Sequence, residues 1–308
     1  GVSVLIYEQT CAAEKRRRRK RKLMPDPPKR VFINEAVCEG CGDCGVKSNC
    51  VSVLPVETEF GRKRAIDQSN CNKDYSCVNG FCPSFVTVHG GSVRKRKGSK
   101  VEGLFDALPL PALPALDQPW NILVTGIGGT GVVTIGALIA MATHLEHNQA
   151  SVLDFMGFAQ KGGAVLSFVR LALTPDQLNQ VRIDTQQADL VLACDMVVGA
   201  SADALGTVKH GRTVIIANTH ELATAAFVRD PNASLHTSAL QDKLRHAAGP
   251  ERVFTADAQS IAQRMLGDTL PANIVMLGVA FQRGLVPVSE AALMHAIELN
   301  GVAVQTNK

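Results

Sequence analysis

Seven of the nine cysteines in this 308-residue chain lie between positions 38 and 82. Four of them fall within "VCEGCGDCGVKSNC", residues 37–50, and the other three follow at positions 71, 77 and 82. A disulfide scaffold of this length needs more cysteines and spreads them more widely. Such clustering indicates a metal site, and the spacing has to distinguish zinc from an iron–sulfur cluster.

The first three cysteines of the stretch have the spacing C-x2-C-x2-C. A structural zinc site normally takes its ligands as two separated pairs, whereas three thiolates at this spacing can hold three corners of a cubane. In two-cluster ferredoxins the fourth ligand of a cluster is a distant cysteine followed by proline, as Cys82 is followed by Pro83. We therefore expect one 4Fe-4S cluster, held by Cys38, Cys41, Cys44 and Cys82.

The segment "CNKDYSC", residues 71–77, repeats this spacing with Asp74 in place of the middle cysteine. Cys50 remains to cross over from the first half, although Val51 and not proline follows it. A missing thiolate favours a 3Fe-4S cluster, or a cluster with an oxygen ligand, because carboxylate suits this chemistry less well. The second expected ligand set is Cys50, Cys71, Cys77 and, as a labile ligand, Asp74. A zinc ribbon is the alternative for the whole segment.

The positive charge of the chain is concentrated in one block. "KRRRRKRK", Lys15 to Lys22, holds eight positive charges, and taking these from the net charge of +4 leaves −4 for the rest. Such a block is usually a solvated arm, and it can equally pack on a partner domain or face an acidic protein. The solvated or domain-docking interpretation is the one we favour. Contact with nucleic acid is the alternative, disfavoured because few aromatic side chains that stack on bases lie nearby.

Hydrophobic patterning separates two folded parts. "RVFIN", "CVSVLPVET" and "SFVTVHG" predict short strands around the cysteines, and Val2–Tyr7 predicts another strand ahead of them. After a basic and then proline-rich linker, apolar strands alternate with helical stretches from Trp120 onward. The fold class we expect is α/β: a small ferredoxin-like α+β domain followed by a Rossmann-like, open, mostly parallel sheet domain.

"GIGGTG" follows a predicted strand and opens a predicted helix. The candidate cofactor-binding residues of this loop are Gly126, Gly128, Gly129 and Gly131. Their backbone N–H groups and the helix N-terminus can hold a phosphate, Asp154 ends the next strand where a dinucleotide fold has its ribose-binding acid, and Lys161 can meet an anion. A purely structural glycine turn carries equal weight, since a lone motif of this type is weak evidence.

No apolar run approaches the roughly 20 residues that span a bilayer. The apolar start "GVSVLIY" has no basic region before it, as a secretion signal would. We therefore expect a cytoplasmic protein with no membrane partner. The chain begins with Gly instead of Met, so we also expect it to be part of something longer.

Several stretches together resemble bacterial indolepyruvate ferredoxin oxidoreductases of the long fused type, within the thiamine-dependent 2-oxoacid:ferredoxin oxidoreductases. These stretches are "VLIYEQTCAAEKRRRRKRK", "VFINEAVCEGCGDC", "SNCVSVLPVETEFGRKRAIDQSNCNKDYSCVNGFCPSFVTVHGG", "ILVTGIGGTGVVTIGALIAMATHLE" and "DFMGFAQKGGAVLSFVR". The cysteine segment is the most specific of them, and the resemblance covers nearly the whole chain.

The resemblance implies an order of parts and a reaction. Residues 1–30 would be the tail of a thiamine diphosphate domain, residues 31–90 a ferredoxin-like domain, residues 91–119 a linker and residues 120–308 the gamma domain. The family oxidatively decarboxylates an arylpyruvate, passes the acyl group to coenzyme A and sends two electrons through the clusters to ferredoxin. The Gly-Asp-Gly signature that holds magnesium and thiamine diphosphate is absent from this sequence, so the resemblance places these cofactors in other domains and identifies no catalytic residue here. It also implies a homo-oligomer.

Two other functions remain open at this stage. A nucleotide-dependent iron–sulfur reductase would use "GIGGTG" and Asp154 as its nucleotide site, but the sequence has no second nucleotide fingerprint. A metal-ribbon nucleic-acid module would use the basic block as its arm and bind with a steep dependence on salt.

Overall fold

A computed structural model describes residues 2–8, 10–50, 52–91, 108–156, 163–220, 230, 232–234 and 236–308. The predicted Lys161 site lies outside these residues. The chain divides into two compact units, unit 1 with residues 1–93 and 223–233, and unit 2 with residues 94–222 and 234–308. Each unit is described by itself.

Unit 1 has little regular structure. Its elements in chain order are α1 (Ala12–Lys20), β1 (Lys29–Ile33), α2 (Asp43–Ser48), β2 (Val53–Thr58), β3 (Gly61–Ile66), a 3-10 turn (Ser76–Val78) and β4 (Phe85–His89). β1 pairs with β4 and β2 with β3, both antiparallel. The described core is small, consisting of Ile33, Cys38 and Val53 with partly buried neighbours that include Cys44, Cys50 and Cys77.

Three of the strands predicted around the cysteines are confirmed as β1, β2 and β4. The predicted strand Val2–Tyr7 is wrong, because residues 2–7 are not part of a strand in the described structure and their side chains are exposed.

Unit 2 is an α/β domain, as expected. Its strands are β5 (Trp120–Ile127), β6 (Gln149–Met156), β7 (Ala164–Ala172), β8 (Leu190–Ala193), β9 (Val214–Asn218) and β10 (Val253–Ala256). Its helices are α3 (Val132–Leu145), α4 (Met196–Gly199), α5 (Ala202–Gly206), α6 (Thr237–Ala248), α7 (Ala258–Leu266), α8 (Ala272–Gln282), α9 (Glu290–Asn300) and α10 (Val304–Asn307). The described helices include none that is long and apolar enough to cross a bilayer.

The six described strands of unit 2 form one sheet in the order β10-β9-β8-β5-β7-β6. β10, β9, β8 and β5 are parallel, and β7 is antiparallel to both of its neighbours. Successive side chains of a strand face opposite sides, so Ile122 and Val124 pack with α3, α8 and α9, whereas Leu123 packs with α4 and α6. Each face of the sheet therefore has its own apolar core.

The connections from β5 and β8 leave their adjacent carboxyl ends on opposite faces of the sheet. The chain after β5 enters α3 on one face, and the chain after β8 enters α4 on the other. Open α/β sheets bind ligands in the crevice that forms at such a switch point. "GIGGTG" and Cys194–Asp195 lie at this point.

Candidate metal centre

The first predicted cysteine set surrounds one cavity in unit 1. The cavity has a volume of about 290 Å³, and its lining includes Cys38, Cys41, Cys44 and Cys82. Cys77 and the buried Arg64 also line it. The described residues contain no three His, Cys, Asp or Glu side chains close enough to ligate a single ion. The four cysteines of the first set therefore border one cavity.

Glycine allows the backbone of the first set to approach its neighbour. Gly40 has φ +74°, and a Cβ there would lie 2.1 Å from the carbonyl oxygen of Arg62 in β3. The Gly40 N–H donates to the Cys38 sulfur at 3.4 Å. Hydrogen bonds to the ligand sulfurs are one of the means by which proteins set cluster potentials.

Electrostatic neighbours support the same grouping. Burial raises the pKa of the Cys44 thiol, the Gly45 N–H and Arg64 lower it, and Cys38 and Cys41 raise it. The partners that act on Cys44 are therefore members of the first set together with one buried cation.

The second predicted set is also close in space. Burial raises the pKa of the Cys77 thiol to about 11, and Cys50, Cys71 and Asp74 raise it as well. These four residues are the second set, brought together from both halves of the segment. The Lys73 N–H donates to the Cys71 sulfur at 3.4 Å, as Gly40 does to Cys38 in the first set.

Asp74 also has a local structural role. Its Oδ1 accepts from the Ser76 N–H at 3.2 Å and from the Ser76 hydroxyl at 3.1 Å. This arrangement is an Asx turn, which satisfies the backbone at the start of the 3-10 turn. A ligand role for Asp74 would have to use its other oxygen or replace the turn.

The basic block is a helix and not a free arm. On one face of α1, Arg16 donates to the carbonyl oxygen of Asn70 at 3.3 Å and to its side-chain Oδ1 at 2.9 Å, and Arg19 donates to the carbonyl oxygen of Asn72. Part of the block therefore packs on the cysteine segment of its own unit, while Arg17, Arg18, Arg21 and Lys22 are exposed. The contact falls on the two residues that flank Cys71.

The glycine loop of unit 2 is held mainly by its own protein contacts. A Cβ on Gly126 would lie 2.6 Å from Val132 Cγ2, and Gly129 and Gly131 have φ +84° and +97°. The Gly128 N–H donates to the Gly163 carbonyl at 2.7 Å. The loop thus follows the structural alternative in its first half, while the first N–H groups of α3 keep the orientation that favours an anion.

Asp154 does not lie beside this loop. β7 is inserted between β5 and β6, which separates Asp154 from "GIGGTG" by two strand spacings, about 10 Å. A ribose-binding acid needs the neighbouring strand, so the dinucleotide interpretation loses its second residue. Its Oδ1 is buried, with no hydrogen-bond partner among the described residues.

Sequence reasoning missed a buried polar cluster at the switch point. Asp195 follows β8, is 2% exposed and caps α4 by accepting from the Val198 N–H at 2.9 Å. The side chain of Asn218 at the end of β9 donates to the Cys194 carbonyl at 3.0 Å and accepts from the His220 N–H at 3.3 Å. The sequence feature that could have revealed this cluster is the polar residue at the end of each apolar strand, Asp195 after β8 and Asn218 at the end of β9.

Burial raises the pKa of the Asp195 carboxyl, against the hydrogen bonds from α4 and the nearby His220. Burial also raises the pKa of the Cys194 thiol to about 12. Cys194 is 3% exposed and belongs to an apolar core, so it is a packing residue.

Sequence comparison identifies a family for this chain. The family model described as pyruvate ferredoxin/flavodoxin oxidoreductase matches residues 121–307. The chain is 28% identical over 181 residues to the indolepyruvate oxidoreductase subunit IorB of Methanothermobacter thermautotrophicus, covering 59% of this chain and 87% of the relative. It is 26% identical over 165 residues to the pyruvate/ketoisovalerate oxidoreductases common subunit gamma of Pyrococcus furiosus, covering 53% of this chain and 77% of the relative.

Among solved structures, the gamma subunit of a keto/oxoacid ferredoxin oxidoreductase from Geobacter sulfurreducens matches with 22% identity and a TM-score of 0.40. The match covers 61% of this chain and 91% of that one. The chain described here is a component of an oxidoreductase with an α/β fold. It belongs to the pyruvate ferredoxin/flavodoxin oxidoreductase family, whose matched relatives are subunits of enzymes that act on 2-oxoacids.

Proposed function

We propose that this chain is the electron-transfer and gamma portion of an indolepyruvate (2-oxoacid):ferredoxin oxidoreductase. The observation that carries the proposal is the cavity of unit 1, around which Cys38, Cys41, Cys44 and Cys82 meet although 44 positions separate the first from the last. The family model matches residues 121–307, and this match supports the proposal that residues 120–308 are the gamma domain. The domain boundaries that we infer remain residues 1–30, 31–90, 91–119 and 120–308.

The first cysteine set is the proposed holder of a 4Fe-4S cluster. When bound, such a cluster supplies one-electron redox chemistry, with a potential set by its ligands, hydrogen bonds and surroundings. Arg64, only 4% exposed and on the cavity wall, places a positive charge beside the thiolates. The Gly40 N–H donates to the Cys38 sulfur and partly offsets its charge.

The second set, Cys50, Cys71, Cys77 and Asp74, is the proposed holder of a second cluster of the 3Fe-4S or oxygen-ligated type. Support comes from the proximity of the other three residues to Cys77. With three thiolates and one carboxylate, the set has one donor that suits iron–sulfur chemistry less well.

The remaining parts of the reaction belong to other domains. We propose that thiamine diphosphate and Mg²⁺ bind in these domains, where an arylpyruvate is decarboxylated, and that coenzyme A is the co-substrate. Ferredoxin is the proposed electron acceptor, and we propose a cytoplasmic homo-oligomer. Coenzyme A and 2-oxoglutarate are bound in a Magnetococcus marinus 2-oxoglutarate:ferredoxin oxidoreductase, whose chain this one matches over 29% of its length.

The full-length enzyme, purified without oxygen, provides the direct functional test. Adding indolepyruvate with coenzyme A should bleach the broad visible absorption of the clusters, and adding NADH should leave it unchanged. Bleaching by NADH would favour the nucleotide-dependent reductase, against which the position of Asp154 argues. If pyruvate bleaches the cluster absorption and indolepyruvate does not, the proposed substrate is wrong. The proposed electron-transfer role would stand.

Asp74 provides a test of the second site. We predict that mild oxidation of the wild type gives a three-iron EPR signal, and that Asp74→Cys abolishes it because a fourth thiolate retains the labile iron. Cys41→Ala, in the other set, should leave the signal intact. An unchanged spectrum in Asp74→Cys would limit Asp74 to its turn with Ser76.

A further inference from the structure

Helix α1 has two sides with different surroundings. Arg16 and Arg19 are three residues apart, so they share a helix face, and both donate to the residues that flank Cys71. This inner side fixes α1 to the segment that carries the second cysteine set. The position of the helix is thus tied to that of Cys71.

The outer side of α1 and the turn that follows it are exposed and strongly positive. Arg17, Arg18, Arg21 and Lys22 all have exposed side chains. Arg17 and Arg18 pair with the same carboxylate, Glu14, at 2.7 and 3.0 Å, so one negative charge serves two cations. Most of this positive charge remains available to a partner.

We propose that the outer side of α1, defined by Arg17, Arg18, Arg21 and Lys22, is the docking surface for an acidic protein that carries one electron. The inference rests on the proposed function of unit 1. The docked carrier accepts one electron per encounter, so two encounters balance the two electrons that oxidative decarboxylation of a 2-oxoacid releases. Exposed charges of one sign raise the association rate of an opposite partner by about 10- to 1,000-fold, and this effect falls with salt.

The anchoring of α1 favours an electron carrier over a nucleic acid. A partner held on the outer side is separated from the segment that carries Cys71 by α1 itself, about 10 Å across, a distance that shortens the path of an electron and gives a nucleic acid no advantage. Single-stranded nucleic acids also need aromatic faces for stacking. Tyr75 is the aromatic residue of the segment Cys71–Cys77. The Lys29 ammonium lies 4.6 Å from the centroid of its ring, and the Tyr75 hydroxyl donates to the Lys29 carbonyl at 2.8 Å. Tyr75 is therefore already engaged by Lys29.

The test uses the full-length enzyme with an acidic bacterial ferredoxin that has a single cluster as probe. The variant Arg17→Gln/Arg18→Gln/Arg21→Gln should lower the association rate with ferredoxin about tenfold at low salt and flatten its salt dependence. Its rate with the small acceptor methyl viologen should stay unchanged. The matched control Lys209→Gln/Arg245→Gln/Arg264→Gln removes three exposed cations from unit 2 and should behave as the wild type.

Equal effects of the two triple variants, or none from the α1 variant, would overturn the docking surface. Tight binding of a single-stranded 20-mer that the α1 variant loses, with ferredoxin association unchanged, would overturn it in favour of nucleic acid. Isothermal titration with ferredoxin gives a readout that needs no turnover. If the wild type contains clusters but the docking experiment gives the contradicting result, the proposed function stands and the docking surface is wrong. A wild type without iron and sulfide would contradict the proposed function itself.

Discussion

Gly126 near the end of β5 and Gly131 in the loop that follows it cannot be replaced by other residues, for different reasons. At Gly126 a methyl group would collide with Val132 and approach Cys194, 2.6 and 3.3 Å away. At Gly131 the space is open, but φ is +97°, which side-chain-bearing residues rarely adopt. One glycine serves packing and the other serves backbone conformation.

We predict that Gly126→Ala lowers the free energy of unfolding of unit 2 by about 1–3 kcal/mol, the usual cost of overpacking. Gly131→Ala should cost about 1–2 kcal/mol as backbone strain. Gly206→Ala is the control, because a methyl group there would have no atom within 4 Å and would require no unusual φ, so its effect should stay within about 0.5 kcal/mol or be stabilising. Urea unfolding of the three variants measures these differences, and equal values for Gly126→Ala and Gly206→Ala would contradict the packing argument.

Asp195 predicts a dependence on pH with a definite sign. Its folded-state pKa is raised by burial, so its stabilising contribution is full below the unfolded pKa and is lost as pH rises through the folded pKa. Asp195→Asn keeps the acceptor for the Val198 N–H and has no charge to bury. Its stability relative to the wild type should therefore be higher at pH 7 than at pH 4. Asp195→Ala also has no charge to bury, so its stability relative to the wild type should rise from pH 4 to pH 7 in the same way, but it should lie about 1 kcal/mol below the Asn variant at both pH values because the cap is lost. A difference between the Asn variant and the wild type that does not change with pH would contradict the burial argument.

At the scale of elements, α1 shows how tertiary contacts decide local structure. A nine-residue helix is too short to be stable alone in water, and this one repels itself through its cations. The hydrogen bonds from Arg16 and Arg19 to Asn70 and Asn72 supply the stabilisation that the isolated helix lacks.

We predict that Arg16→Gln/Arg19→Gln undocks α1 and accelerates hydrogen exchange of its backbone amides about tenfold or more, the equivalent of about 1.4 kcal/mol. Arg17→Gln/Arg18→Gln removes two exposed pairs with Glu14, each worth only about 0.2–0.5 kcal/mol, and should have the smaller effect. Exchange measured by mass spectrometry on peptides that cover residues 12–20 distinguishes the two variants. A larger effect of the outer variant would contradict the assigned helix face.

The elements also show what the sequence can and cannot predict. Strands β5 to β10 were predictable because each is an apolar run bounded by polar or glycine residues. The two cysteine sets stay predictions from the spacing, from Pro83 after Cys82 and from the crossover seen in two-cluster ferredoxins. β3, "GRKRAI", was not recognised because it has no alternation of apolar and polar residues, and its buried residue is the charged Arg64. The insertion of β7 between β5 and β6, which moves Asp154 away from the glycine loop, depends on long-range pairing that no local pattern encodes.

At the scale of the whole molecule, the two units differ in what stabilises them. Unit 2 has two large apolar clusters, one on each face of its sheet. The described apolar cluster of unit 1 has three buried members, one of them Cys38, and Val31 is a further buried apolar side chain. A unit of this size with so small a core needs additional stabilisation, which bound metal commonly provides.

We therefore predict that metal removal unfolds unit 1 and leaves unit 2 folded. After anaerobic treatment with acid and chelator, the amides of β1 to β4 should lose protection from hydrogen exchange, while those of β5 and β8 keep it. Persistent protection of β1 to β4 in metal-free protein would show that unit 1 folds without its clusters.

Iron and acid-labile sulfide per chain, measured on anaerobically purified protein, test the central claim most directly. The wild type should contain about seven to eight irons with matching sulfide, the sum for one four-iron cluster and one cluster with a labile site. Cys41→Ala and Cys71→Ala should each lose about half, because they belong to different sets, and Cys11→Ala, an exposed cysteine outside both sets, should lose none. Stoichiometric zinc without sulfide, or equal metal content in all four proteins, would contradict the assignment of Cys38, Cys41, Cys44, Cys82 and of Cys50, Cys71, Cys77 to two iron–sulfur sites.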